Sequence, residues 1–178
     1  IKGVDVFRIF DSLNWMESMK MPVEEALKTG KIVEGSLCYT GDITSPKEVK
    51  YTLDYYVKKA HELEDMGVHI LAIKDMAGLL KPYAAKLLVE TLKSELKIPV
   101  HLHTHDTTGA GVATVLKAAE AGVDIVDLAI ESMSSCTSQP SLNVVVEALR
   151  GTERDTGLDF EGLDELSRYY EHVRKVYK

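Results

Sequence analysis

Cysteine is scarce in this sequence, with only Cys38 and Cys136 present. Two thiols cannot build the disulfide framework of a small secreted domain, so a reducing compartment is the expectation. No run of about 20 apolar residues occurs, which excludes a helical membrane span. No basic block offsets the net charge of −7, so neither nucleic acid nor an anionic membrane is an expected partner. No signal-peptide pattern opens the sequence. Gly-x-Gly-x-x-Gly and Gly-x-x-x-x-Gly-Lys-Ser/Thr are both missing, and with them the phosphate cradles of common open α/β sheets. Gly-x-Ser-x-Gly is missing too, which removes the nucleophile turn of the α/β hydrolases.

What is present is an ordinary globular composition. The 178 residues are 45% hydrophobic, which excludes disorder and at first sight fits one domain. Five apolar, β-rich runs stand out: VDVFRIF at 4–10, IVEGSLCY at 32–39, HILAI at 69–73, PVHLH at 99–103 and VDIVDLA at 123–129. Between them the spacing predicts helices over 22–28, 47–66, 82–96, 109–121 and 141–150, with a further amphipathic helix over 163–177. Gly67 and Gly122 each precede a valine just before a strand, where a helix ends and turns directly into the sheet. This rhythm predicts a parallel sheet covered by helices, with strands buried on both faces.

An open doubly wound sheet and a (βα) barrel both fit that rhythm. Polar residues after every strand favour the barrel, which gathers its chemistry at the carboxyl ends of its strands. An open sheet does so mainly at one switch point. The expected division is a partial barrel core at 1–150 and a linker with a helix at 151–178.

His101, His103 and His105 form the sharpest signal. Residues two apart on a strand share a side, so His103 and His105 can ligate one metal ion. His101 lies deeper and reads as a satisfied core histidine. Lys74 ends an apolar strand, where a cation must pair, shift its pKa or be modified. An ion pair with Asp75, a Schiff base and a carbamate all remain open for it. In the first strand, Asp5 and Asp11 share one parity and Arg8 the other; Asp11 is the better placed of the two for an active site. A charge such as Arg8 inside an apolar strand is expected to be paired. The hydroxyl-rich loop SMSSCTSQPS at 132–141 reads first as a capping loop with Ser141 starting a helix, and second as an anion cradle. Tyr51, Tyr55, Tyr56 and Tyr83 read as helix packing or a subunit surface, with an aromatic ligand platform as the other option.

Taken together, DVFRIFDSLNW (5–15), YTGDI (39–43), IKDMAGLLKP (73–82), HLHTHDTTGAG (101–111) and SMSSCTSQPS (132–141) resemble the carboxyltransferase domains of the pyruvate carboxylase family. The resemblance runs from Val4 to about Tyr177. It implies a (βα)₈ TIM barrel, of which this chain holds about five βα units before the start of a helical C-terminal extension. It also implies a divalent ion, Zn²⁺ or Mn²⁺, held by a carbamylated Lys74, by His103 and His105, and by an Asp expected before Ile1. Asp11 and Asp5 become candidates for orienting substrate-binding arginines that are likewise expected upstream. The implied reaction moves CO₂ from carboxybiotin, on a mobile carrier domain, to pyruvate, giving oxaloacetate for anaplerosis and gluconeogenesis. Biotin is expected on another domain: Lys20 between Met19 and Met21 lacks the Ala-Met-Lys-Met form.

The resemblance further implies a homo-oligomer, dimer or tetramer, with a small-molecule effector at a subunit interface. The compartment it implies is the cytoplasm of a bacterium, with the mitochondrial matrix as the alternative. A whole barrel takes about 250 residues, so the chain is expected to be an internal piece and inactive alone. A decarboxylase or transcarboxylase subunit, an aldol-type lyase, and a non-catalytic assembly or effector-binding module are the competing readings.

Overall fold

The computed structural model describes residues 3–177. Strands and helices alternate: β1 (Val6–Asp11), α1 (Met16–Leu27), β2 (Ile32–Cys38), α2 (Leu53–Asp65), β3 (Ile70–Asp75), α3 (Pro82–Glu95), β4 (Val100–Thr104), α4 (Gly111–Glu120) and β5 (Ile125–Val126), then α5 (Leu142–Leu149) and α6 (Phe160–Arg174). All neighbouring strands are parallel, in the order β1-β2-β3-β4-β5. This is an arc of a TIM barrel.

Each strand presents one set of side chains to the helices and the alternate set to the barrel lumen. On β2, Val33 and Leu37 join the helix-side core, while Glu34, Ser36 and Cys38 alternate with them toward the lumen. The helix-side core continues through Leu71, Ile73, Val100 and Leu102 and is closed by Leu63, Leu88, Leu92 and Val115, all at most 1% exposed. Burying each leucine contributes about 1.5–3 kcal/mol. The lumen side is different, because it carries charge. The expected burial on both faces holds for β2–β4, where lumen-side Glu34, Ser36 and His101 are at most 5% exposed, but only the helix-side face is mostly apolar.

Several boundaries differ from the sequence reading. Helix α1 begins at Met16, not Pro22, and Pro22 lies inside it. Met16, Met19, Val23 and Ala26 form its buried stripe, while Pro22 is on the exposed side. Helix α2 starts only at Leu53, where the Thr52 hydroxyl accepts from Tyr55 N; residues 47–52 are irregular. Strand β5 shrinks to two residues, and Ala129 forms only an isolated bridge to Ser141. Gly67 and Gly122 take the left-handed conformation expected between helix and strand, with φ of 86° and 90°.

Among the described residues no helix is long and apolar enough to cross a membrane. Tyr51, just before α2, packs edge to face on Tyr55, Tyr55 does so on Tyr56, and Tyr56 stacks on Tyr39, so the cluster serves packing. Tyr83 stays apart, 75% exposed at the start of α3.

Candidate metal centre

Strand β4 presents His101 and His103 to the lumen, and His105 follows directly after its end. In register, His103 stands opposite Lys74 of β3, and Lys74 stands opposite Cys38 of β2. The two outer histidines converge: His103 Nε2 lies 3.1 Å from His105 Nε2.

The partners of the other ring nitrogens fix what those Nε2 atoms are. His103 Nδ1 is 2.8 Å from Asp127 Oδ2, and His105 Nδ1 is 2.6 Å from the Thr137 carbonyl oxygen. A carboxylate and a carbonyl only accept, so both Nδ1 atoms donate. In the neutral rings both Nε2 atoms then present lone pairs, that of His105 also lying 3.5 Å from the Gln139 side-chain amide nitrogen. Two lone pairs facing each other at this distance repel unless a cation or a proton lies between them. That is the donor arrangement of two imidazoles prepared for one metal ion, each oriented by an outer-shell acceptor. Among the described residues no three His, Cys, Asp or Glu side chains converge on one point. Lys74 beside His103 fits the role of a third donor only if its amine is converted to an anionic carbamate.

Below the histidine pair lies a charged cluster. Arg8 of β1 donates through Nε to Glu34 of β2 and through Nη1 to Asp127 Oδ2, the latter at 2.9 Å. His101 places Nδ1 2.7 Å from Glu34 Oε2 and Nε2 2.9 Å from Asp127 Oδ1. Burial alone would lower the His101 pKa, but the two carboxylates outweigh it and push it up to about 9. His101 is therefore charged near neutral pH, and the quartet balances two cations against two anions. Burial works to raise the Asp127 carboxyl, yet His101, His103 and Arg8 hold it well below the usual carboxylate range. Glu34, though buried, is likewise lowered by His101 and Arg8. The core reading of His101 and the paired reading of Arg8 both agree with this geometry.

Lys74 extends over the Phe10 ring, 5.0 Å from its centroid. It does not pair with Asp75, which points to the opposite side of β3 and accepts from Leu79 N, Leu80 N and the Thr104 hydroxyl at 2.8–3.0 Å. Asp75 thus ties the turn after β3 to the end of β4.

The two aspartates proposed for the substrate are not brought to the histidines. Asp11 shares the parity of Phe7 and Ile9 and lies on the helix side of β1. Its carboxylate accepts from Leu13 N, Trp15 N and the Ser18 hydroxyl at 2.9–3.2 Å, and the backbone N–H groups of Trp15 and Leu13 lower its pKa. Asp11 thus orders the turn into α1. Asp5 precedes β1 at the opposite end and pairs with exposed Lys31 at 2.7 Å. Position at a strand end suggested Asp11, but the period-2 alternation of the strand turns it away from the lumen.

The hydroxyl-rich loop behaves as a cap and a brace. The Ser141 hydroxyl accepts from Val144 N at the start of α5, and Ser138 O accepts from Asp106 N at 2.8 Å. Asp106 itself caps α4 through Gly111 N, at 2.8 Å. Sequence reasoning missed Glu34, Asp127 and the Thr137 carbonyl. Glu34 and Asp127 were open to the rule applied to Arg8, since each interrupts an apolar strand run. The Thr137 carbonyl leaves no signal in the sequence.

A parallel βα arc with its polar chemistry at the strand ends defines the TIM-barrel class, and the profile of the HMGL-like family matches residues 11–169. The chain belongs to that family. Within it, the chain is 57% identical over 176 residues to the pyruvate carboxylase of Staphylococcus aureus and 49% identical over 176 residues to the human mitochondrial enzyme. Both alignments cover 98% of this chain and 15% of the relative, so the chain spans a small part of those proteins. The carboxyl transferase domain of Rhizobium etli pyruvate carboxylase superposes with a TM-score of 0.96 at 52% identity, over 97% of this chain and 29% of that one. Another structure of that domain contains pyruvate and biocytin.

Proposed function

We propose that this chain is the metal-bearing arc of the carboxyltransferase site in a biotin-dependent pyruvate carboxylase. The likeness over 97% of the chain to the Rhizobium etli carboxyl transferase domain carries this reading. In the reaction, carboxybiotin on a carrier domain breaks its N–CO₂ bond, pyruvate loses a methyl proton to the biotin nitrogen, and the enolate carbon bonds CO₂ to give oxaloacetate.

In this reading His103, His105 and a carbamylated Lys74, together with an Asp expected before Ile1, hold a divalent ion, Zn²⁺ or Mn²⁺. When bound, it supplies Lewis-acid polarisation of oxygens at the barrel mouth. The converging Nε2 pair supports the two nitrogen ligands, and the Lys74–His103 register supports the lysine ligand. The chain's own part is to orient these donors and to line the lumen with fixed charge. Packing behind the strands helps keep water from the enolate and CO₂. Residues 1–150 form the partial barrel core, and 151–178 lead toward the C-terminal extension. Asp11 and Asp5 act indirectly at most, by shaping the ends of β1.

The intact protein works in the bacterial cytoplasm or the mitochondrial matrix, as the S. aureus and human relatives support. It acts as a homo-oligomer with an effector site; a Rhizobium etli relative holds the allosteric activator acetyl coenzyme A. The test is oxaloacetate formation by the full-length protein from pyruvate, bicarbonate and ATP. ATP- and biotin-dependent carboxylation is expected. Biotin-dependent decarboxylation without net carboxylation, or no turnover by a fully biotinylated protein, would overturn the reading.

A further inference from the structure

Asp127 is held poorly by its own strand and tightly by its side chain. Strand β5 ends at Val126, and among the described residues the one backbone–backbone hydrogen bond of Asp127 runs from its N–H to Leu102 O, at 3.0 Å. The carboxylate, by contrast, accepts three charged or ring N–H groups: His101 Nε2 on Oδ1, and Arg8 Nη1 and His103 Nδ1 on Oδ2. Two of those donors are themselves gripped by Glu34, whose side chain is 2% exposed. The grip spans β1, β2 and β4 and fixes a residue just beyond β5.

The arrangement has one outlet toward the histidine pair. Asp127 Oδ2 determines which nitrogen of His103 carries the proton. An acceptor that could rotate or tilt would let the ring take the other tautomer, with Nε2–H pointing at His105. We propose that Arg8, Glu34 and His101 are positioning residues that clamp Asp127 and, through it, hold His103 with Nε2 bare as a metal ligand. This rests on the metal reading given above. The cluster lies on the lumen side of the strands, away from the helix-side core, and a charge quartet there adds less stability than apolar packing would. Its connection to a ligand gives it a role that stability does not.

The test is chelator-competed Zn²⁺ binding to the metal-free, full-length protein, with thermal unfolding of each metal-free variant alongside. Loss of an outer-shell partner typically costs 10–100-fold in metal affinity. Asp127→Asn, which offers His103 an N–H in place of an acceptor oxygen, should weaken binding by about that factor. Glu34→Gln should weaken it in the same direction by a smaller factor, with the metal still bound by His103 and His105. Wild-type affinity in both variants, with only the melting temperature lowered, would show a purely structural cluster and overturn the proposal. His103→Ala separates the two readings: retained affinity there overturns the metal site itself, whereas lost affinity there with unchanged Asp127→Asn overturns only the clamp. Should Glu34→Gln fail to fold, Asp127→Asn, at a side chain 31% exposed, decides alone.

Discussion

Arg8 Nη1 and Asp127 Oδ2 lie 2.9 Å apart, although β1 and the end of β5 stand at opposite edges of the five-stranded sheet. A flat sheet would separate its outer strands by roughly four inter-strand steps of 4.7–4.9 Å. The contact therefore crosses the lumen of a strongly curled arc. It links two ends of the sheet that share no backbone hydrogen bonds.

Arg8→Met keeps an unbranched apolar stem and removes the charged guanidinium. Glu34 is then left buried with His101 as its single cationic partner. Breaking a buried pair on one side costs about 3–5 kcal/mol; with His101 remaining and Arg8 partly exposed, about 2–3 kcal/mol is expected. Urea unfolding measures it. A change below about 0.5 kcal/mol, the size of an ordinary surface substitution, would count against the quartet as a unit.

Asn14 stands at φ 54° and is 4% exposed, with its amide bonded to both the N–H and the C=O of Cys38 at 2.8–2.9 Å. Asn14→Ala leaves the Cys38 groups unpaired and keeps the left-handed strain. Asn14→Gly loses the same bonds without the strain. Both should destabilise, with Ala worse than Gly by about 1–2 kcal/mol. Equal melting temperatures would show that the conformation is not under strain.

Gly78 couples the turn after β3 to the histidine strand. It sits at φ +65°, and an added Cβ would lie 2.5 Å from the His105 carbonyl oxygen. Backbone cannot swing aside as a flexible side chain can, so Gly78→Ala should displace His105 and weaken metal binding along with stability. The left-handed strain adds about 1–3 kcal/mol. Titration of Zn²⁺ into the variant checks the first effect; unchanged affinity would separate the turn from the site.

Asp42 gives the acid-side prediction. Hydrogen bonds from Lys81 and then Thr44 hold its pKa down to about 2. A depressed carboxyl contributes stability above its unfolded value near 4, and that contribution is lost as pH falls from about 4 to 2. Because Lys81 is exposed and Asp42 only half-buried, salt should screen their pairing. Carboxyl titration followed by NMR should show the Asp42 pKa rising with ionic strength; a value unmoved by salt and by Lys81→Met would remove the lysine as its cause.

Much of the fold was legible because the chain alternates two hydrophobic periods, and Gly67 and Gly122 mark where one gives way to the next. The start of α1 was not, because a Pro at position 22 imitates a first helical residue while Asp11 orders the turn five residues before Met16. The histidine pair could be read from its spacing on one strand. Its orienting shell was legible only in part: Glu34 and Asp127 stand out as charges in apolar runs, but nothing in the sequence pairs Asp127, just beyond β5, with His103, and the Thr137 carbonyl leaves no signal. Asp11 misled for the converse reason, since sequence position places a residue at a strand end without saying which face it joins.

The most direct measurement is an anomalous-difference map from crystals of the intact protein, collected at the absorption edge of the metal found in it. The account predicts one peak within about 2.0–2.3 Å of both His103 Nε2 and His105 Nε2, with carboxylated density on Lys74 Nζ reaching the same peak. No peak between the two Nε2 atoms in metal-replete protein, or a peak there with an unmodified lysine, would contradict it.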